Sequence, residues 1–184
     1  MFGWRKKKHQ NNYIKSLLNI PDHPPEWHPC VEIAVGGLTE IGFSQQYNHL
    51  LLVISSSGRG VFNCITGEKV ARDFEEYGDW YDPINLTCNG IGPLAGEKIS
   101  IAGQCGGGLP MYNHYGETLE RVSPEWPLEV LIWCPPNKDA LCQGHQEGCF
   151  KLVSDYFRCT GFSWDGDFII SATSSDITLW YRKA

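Results

Sequence analysis

The best metal-ligand candidates in the sequence are four residues from one short stretch: Cys134, Cys142, His145 and Cys149. Three thiolates and one imidazole satisfy the tetrahedral coordination that zinc prefers. Gly144 and Gly148 would let the loop bend around a metal ion. The spacing is not one of the twin-pair signatures of structural zinc sites, and reduced, buried cysteines are the alternative. We therefore predict no bound metal and keep these four residues as the zinc set to be checked.

Motifs for cofactor binding and catalysis are incomplete. Residues 90–95 fit the loose G-x-G-x-x-A pattern of dinucleotide sites, but Pro93 interrupts it and residues 96–102 are typical of a strand instead of the required helix. Residues 161–165 lack the second glycine of a hydrolase nucleophile elbow. The six histidines form no metalloprotease pair. We predict a protein that is not an enzyme and has no cofactor, with a Cys-dependent hydrolase as an alternative because Cys and His partners meet in space.

An acidic aromatic segment, residues 73–82, is the most unusual local feature of the chain. It contains five acids, four aromatic residues and one glycine, and no positive charge. Aromatic rings bury large areas at small entropic cost, and carboxylates pair with Arg or Lys of a partner, so this composition favours protein binding. The predicted partner-binding residues here are Asp73, Glu75, Glu76, Tyr77, Asp79, Trp80, Tyr81 and Asp82. The alternative is a connector whose rings lie under a sheet while its acids stay solvated.

A second cluster of similar character, residues 124–129, adds Glu125 and Trp126 to the predicted partner-binding residues. Charge indicates the kind of partner. The formal net charge of the 184 residues is −6, and because Arg5 to Lys8 contribute +4 without any acid, the rest of the chain carries −10. An acidic body argues against nucleic-acid binding, which depends on neutralising phosphates, and suits a basic protein.

The chain shows no apolar stretch long enough for a secretory signal or a membrane span; its longest purely apolar run is residues 50–54. We therefore expect a cytoplasmic monomer that does not bind membranes. Its eight cysteines are expected to be reduced, as cytosolic thiols usually are.

The pattern of secondary structure is nearly all β. Residues 10–20 predict one short helix with Tyr13, Leu17 and Leu18 on its apolar face, and the Pro-rich residues 21–29 predict an extended connector. Short apolar or alternating runs separated by Gly-containing turns follow, from Val31 onward. The sequence therefore predicts a basic tail, helix and connector in residues 1–30 and a single antiparallel β domain in residues 31–184.

Weak internal repeats support this interpretation. Gly42-Phe43-Ser44 recurs as Gly161-Phe162-Ser163, at an offset of 119 residues, about three steps of 40. Residues 162–171, followed by the Ile-Thr-Leu-Trp of residues 177–180, resemble the later strands of a WD-repeat blade, and residues 38–72 resemble the same unit. The chain lacks the Gly-His pair of that family and has Tyr181 at the place of its terminal Asp, so the resemblance implies blade-like sheets and not membership.

Four such units would make a small propeller-like domain, which residues 31–35 would close by pairing with the last blade. A β-sandwich built from the same hairpins is the alternative fold. In size, charge and blade-like sheets the chain also resembles the small bacterial immunity proteins that neutralise polymorphic toxins. That resemblance implies a stoichiometric inhibitor that covers the basic active site of a cognate toxin. A WD-repeat-like scaffold subunit of a larger assembly is the alternative function.

Overall fold

The computed structural model describes residues 13–75 and 77–182, and within them the chain is built almost entirely of antiparallel strands. One short helix, α1, spans residues 13–18, about one and a half turns. The strands are β1 (Trp27–Ala34), β2 (Leu38–Phe43), β3 (Leu50–Ser55), β4 (Gly58–Asn63), β5 (Lys69–Arg72), β6 (Tyr81–Asp82), β7 (Thr87–Asn89), β8 (Lys98–Ser100), β9 (Ala102–Gly103), β10 (Thr118–Val122), β11 (Glu129–Cys134), β12 (Phe150–Asp155), β13 (Cys159–Phe162), β14 (Phe168–Ala172) and β15 (Asp176–Arg182). The predicted all-β class with a short N-terminal helix is confirmed.

Contacts divide the chain into two compact units. The first unit combines the described residues up to Pro25 with His114–Tyr156, and the second combines Glu26–Asn113 with the described residues from Phe157 onward. The first unit contains one sheet and the second contains three, and each unit has its own buried core.

The first unit is a three-stranded antiparallel sheet, in the order β10-β11-β12, that carries α1. Leu17 and Ile20 are buried in a cluster with Val122 and Ile132 of the sheet, so the end of the helix is held by apolar packing. Pro21 follows and cannot continue the helix. The predicted apolar face is wrong in one position: Leu18 is exposed, because the helix presents Leu17 to the sheet instead.

The second unit stacks three sheets face to face. A four-stranded sheet has the order β1-β15-β14-β13, a five-stranded sheet has the order β5-β4-β3-β2-β9, and a three-stranded sheet has the order β6-β7-β8. All six residues of β3 are buried. Leu51 and Val53 pack toward the four-stranded sheet, whereas Leu50, Leu52 and Ile54 pack toward the three-stranded sheet. Because successive side chains of a strand point to opposite faces, this double burial requires a layer on each side, as between blade-like sheets.

The first strand begins earlier than the sequence predicts. β1 pairs antiparallel with β15, placing Val31 opposite Leu179 and Ile33 opposite Ile177, so residues 31–34 do join the last strand as expected. The strand nevertheless starts at Trp27, inside the predicted connector. Trp27 is buried against Phe162, and the register is irregular around Pro29, as an edge strand tolerates for a residue without an N–H.

The repeated Gly-Phe-Ser motifs occupy equivalent structural positions. Both phenylalanines are buried. The Ser44 N–H donates to the Leu50 carbonyl and the Ser163 N–H to the Phe168 carbonyl, so each serine closes the turn into the next strand. A Cβ at Gly42 would lie 2.4 Å from the Ser100 carbonyl oxygen, and a Cβ at Gly161 would lie 2.3 Å from the Leu109 Cβ. Each glycine therefore permits a neighbouring segment to approach closely.

Candidate functional site

The acidic aromatic segment lies in the second unit, where it leaves β5 and ends in β6. It runs beside the tight turn between β3 and β4. Gly58 in that turn has a φ of +99°, and a Cβ there would lie 2.6 Å from the Asp73 carbonyl oxygen. Glu76 lies outside the described residues. The close approach at Gly58 holds the start of the segment against the turn.

A buried arginine anchors the acids of this segment. The Arg59 guanidinium, with a side chain only 6% exposed, donates to Asp73 Oδ2 from Nε at 2.9 Å and from Nη2 at 2.6 Å. Nη2 also donates to Glu75 Oε2 at 3.1 Å, and Nη1 donates to the Asn89 carbonyl at 2.8 Å. The guanidinium lies 4.2 Å from the centre of the Trp80 ring. Arg59 therefore pairs with two of the acids and fixes the segment to β4 and β7.

The aromatic residues of the segment form a stack. Tyr77 and Trp80 are stacked with ring centres 5.5 Å apart, and Tyr81 meets Tyr77 edge-on at 5.0 Å. Trp80 is 8% exposed and belongs to the core of the second unit, between the five-stranded and three-stranded sheets. Such ring pairs stabilise by about 0.5–1.5 kcal/mol beyond their buried area, so the stack holds Tyr77 in place at the surface.

A buried carboxyl group and an exposed thiol meet at Tyr81. The Tyr81 hydroxyl is 3.2 Å from Glu40 Oε1 and 3.1 Å from Cys105 Sγ. Glu40 is 1% exposed, and its Oε2 has no hydrogen-bond partner among the described residues. Burial of the ring, together with the contacts to Cys105 and Glu40, raises the pKa of Tyr81, so its phenol stays protonated at neutral pH. The result is a continuous chain from a buried acid to an exposed sulfur.

Asp82, at the end of the segment, builds a turn. Its Oδ1 accepts the backbone N–H groups of Ile84 at 3.1 Å and Asn85 at 2.9 Å, and its Oδ2 accepts the Asn85 side-chain amide at 2.7 Å. These bonds, the Asn85 amide first, lower the pKa of Asp82. Asp82 thus orders the connection from β6 to β7.

The outer side of the segment is exposed and partly apolar. Phe74 is 77% exposed and Tyr77 is 51% exposed, while Glu75 and Asp79 are also exposed. Phe74, Glu75 and Tyr77 line a shallow hollow of about 520 Å³ with residues 56–58 of the turn. The Tyr77 hydroxyl lies 3.3 Å from Thr39 Oγ1, which positions one wall of the hollow. We call this hollow and its lining the acidic aromatic groove.

The structure therefore divides the predicted partner-binding residues of the second unit. Glu75, Tyr77 and Asp79 are open to solvent, whereas Trp80 is buried and Asp73 is engaged with Arg59.

Phe74, which was not among the predicted partner-binding residues, is the most exposed ring of the segment. The roles of Arg59 and Glu40 were also missed, although an arginine between two glycines of an apolar strand and an acid in a buried strand were visible signals.

Glu125 and Trp126 belong to the first unit. Trp126 is 83% exposed, and Glu125 lines a small hollow of about 200 Å³ with apolar residues of α1 and the sheet. Lys151 of β12 also lines this hollow and pairs with Asp22 at 3.4 Å. The exposed indole and the carboxylate give this unit a surface of its own that can contact a protein.

The zinc set is not assembled. Cys134 and Cys149 lie together in the core of the first unit, whereas Cys142 and His145 are exposed in the loop that joins them. Among residues 13–75 and 77–182, no three His, Cys, Asp or Glu side chains are grouped as a metal ion would require. The loop turns outward through its own hydrogen bonds, such as Cys142 N–H to the Asp139 carbonyl.

No protein-family model, no curated protein and no solved structure matches this chain. In the described part of the chain, none of the helices has the length and apolar character needed to cross a membrane.

Proposed function

We propose that this protein is a non-catalytic protein-binding module that neutralises a cognate basic protein toxin by covering its active site. The observation that carries the proposal is the acidic aromatic groove, whose exposed Phe74 and Tyr77 rings lie beside the Glu75 carboxylate and, with Asp79 next to it, are supported by the buried Arg59 and Trp80. Rigid aromatic side chains surrounded by charges are the usual anchors of protein interfaces.

Pre-organisation distinguishes this groove from a solvated acidic loop. Arg59 holds Asp73 and Glu75 from below, and the ring of Trp80 supports Tyr77. A partner therefore does not have to order the segment when it binds, which lowers the entropic cost of association.

Charge selects the partner. Arg59 is shared by two carboxylates, so the segment keeps a net negative charge, to which Asp79 and the body of the protein contribute. A basic protein surface is attracted to such a region, and the rate of association rises with that attraction. Toxins that act on nucleic acids or nucleotides have basic active sites, so an acidic inhibitor can occupy the place of the substrate.

The proposal is tested by searching the genes beside its own for a secreted toxin and co-expressing that toxin with the chain. Phe74→Ala combined with Tyr77→Ala and Asp79→Asn is expected to lose protection of growth and to weaken binding in calorimetric titration by at least about tenfold, since hot-spot residues each contribute about 2 kcal/mol or more. Ile65→Ala is the control, because Ile65 is exposed at the opposite end of β4.

Two results would overturn the proposal. One is a triple variant that protects cells as well as the wild type does while keeping its thermal unfolding midpoint. The other is affinity capture that yields several stable partners and no toxin, which would favour the scaffold function. Loss of protection in Ile65→Ala as well would assign the effect to general stability instead of the groove.

A Cys-dependent hydrolase is the second candidate function, and the Tyr81 hydroxyl, which contacts both Cys105 and Glu40, favours it. In such an enzyme the exposed Cys105 sulfur would attack the substrate and the Tyr81 hydroxyl would relay its proton toward Glu40. Hydrolysis of p-nitrophenyl acetate by the purified chain, abolished by Cys105→Ala and reduced by Tyr81→Phe, would support this function. A rate no higher than that of free cysteine would exclude it.

A further inference from the structure

Two buried cysteines of the first unit face each other across a pair of strands. In the β11–β12 ladder Ile132 is opposite Lys151 and Trp133 is opposite Phe150. If this register continued by one position, Cys134, the last residue of β11, would lie opposite Cys149, the residue before β12. Both cysteines belong to the same buried cluster of the first unit.

The register of the two strands is compatible with the geometry of a disulfide. Opposite residues of antiparallel strands have Cα atoms roughly 4.5–5.5 Å apart, and disulfides need Cα atoms roughly 4.4–6.8 Å apart. Both cysteines are fully buried and packed with Leu17, Ile132 and Ala140.

The surroundings give the pair no other role. Neither thiol contributes to the acidic aromatic groove, which lies in the second unit, and the zinc set of which they were part is not assembled. Burial raises the pKa of Cys149 to about 12 and raises the pKa of Cys134 as well. Both are therefore poor nucleophiles in the folded protein at neutral pH, so a bond between them must form before the core closes.

We propose that Cys134 and Cys149 form a structural disulfide when the chain folds in the presence of a small-molecule disulfide such as oxidised glutathione. One cysteine thiolate attacks the glutathione disulfide and releases one glutathione thiolate. The second cysteine thiolate then attacks the protein-bound sulfur and releases the other. The two S–H groups are replaced by one S–S bond, two protons leave the cysteines, and the two electrons reduce oxidised glutathione to two thiols.

The bond would close a ring of sixteen residues, from Cys134 to Cys149, that includes the exposed loop with Cys142. The chain-entropy model for a loop of this size predicts a thermal unfolding midpoint raised by roughly 6–12 °C in a protein of this length. Once formed, the bond is buried, and we expect reductants to act on it only when the first unit opens.

The test refolds the chain carrying Cys142→Ser in a mixture of oxidised and reduced glutathione, then blocks free thiols with N-ethylmaleimide in acid. Trypsin cuts after Arg121, Lys138 and Lys151, so each of the two resulting peptides, residues 122–138 and 139–151, then contains a single cysteine. The expected result in mass spectrometry is one cross-linked pair of these peptides, about 2 Da lighter than their sum. Wild-type protein should give the same link between Cys134 and Cys149.

The raised unfolding midpoint is the second measurement. Oxidatively refolded Cys142→Ser should unfold at a higher temperature than the same variant refolded in reductant, and the further change Cys149→Ala should abolish this difference. The proposal fails if protein that has refolded to its native state in the glutathione mixture carries N-ethylmaleimide or glutathione on both Cys134 and Cys149. It also fails if the wild-type link runs to Cys142 instead.

Discussion

Replacing Arg59 with alanine tests whether one buried cation supports the whole acidic aromatic groove. The substitution removes three hydrogen bonds to Asp73 and Glu75, one to the Asn89 carbonyl, and the guanidinium that covers the Trp80 ring. The two carboxylates then stay beside the core without their counter-charge. We expect the start of the segment to separate from the turn at Gly58 and the groove to lose its base.

The size of the effect follows from the exposure of the partners. Removing one member of a buried ion pair destabilises a protein by about 3–5 kcal/mol. Asp73 keeps 21% of its exposure and Glu75 keeps 67%, so both can be partly rehydrated. We therefore expect a loss near the lower limit, about 3 kcal/mol, and with a slope of about 2 kcal/mol/M this lowers the urea midpoint by about 1.5 M.

Arg72→Ala is the matched control. Arg72 covers the exposed Phe74 ring at 4.9 Å and donates to the Ser57 carbonyl, but it lies at the surface, where such contacts contribute about 1 kcal/mol or less. Urea unfolding followed by tryptophan fluorescence measures both variants, because Trp80 lies directly against Arg59. A midpoint shift below about 0.5 M for Arg59→Ala, or equal shifts for both variants, would refute the reasoning.

Three further predictions follow from the packing and titration of single residues. Gly42→Ala is expected to destabilise the protein by at least about 2 kcal/mol in thermal unfolding, whereas Gly36→Ala, with open space around its Cβ, should be neutral. Burial raises the pKa of Glu120, so the folded state favours the protonated carboxyl group, and the stability this provides is lost as the pH rises from the unfolded-state pKa through the folded-state pKa. The thermal unfolding midpoint of Glu120→Gln should therefore exceed that of the wild type by a margin that grows above pH 4. Iodoacetamide should label the exposed Cys105 within minutes and leave Cys88, whose pKa burial raises to about 12, unmodified until the protein unfolds; equal labelling rates would contradict this.

The strands could be predicted because their signals are local. Alternating or continuous apolar runs and Gly-containing turns indicated the all-β class and about half of the described strands, and the repeat of Gly42 at Gly161 marked two equivalent close approaches. The start of β1 was missed because prolines usually end regular structure. Burial of Trp27 against Phe162 outweighs that preference, and this contact joins residues 135 positions apart.

The acidic aromatic groove likewise combines features that the sequence shows with pairings that only the tertiary structure determines. Its acids and rings are visible in the sequence, but nothing local distinguishes Asp73, which binds Arg59, from Asp79, which is open to solvent. The buried Glu40 reaches Tyr81 across 41 positions of the chain. Such pairings depend on which sheet covers which strand, and a linear pattern does not contain that information.

The sequence by itself determined an all-β protein with a short helix at its N-terminus, an acidic body and one segment rich in rings and carboxylates, since periodicity, turn residues and charge are properties of neighbouring residues. Tertiary structure alone decided that Trp80 is buried while Phe74 is exposed, that Arg59 pairs with the acids beside it, and that Cys134 and Cys149 share a buried cluster while Cys142 is exposed. The physical reason is that exposure and pairing are set by the layers that close over a strand, and those layers come from distant parts of the chain.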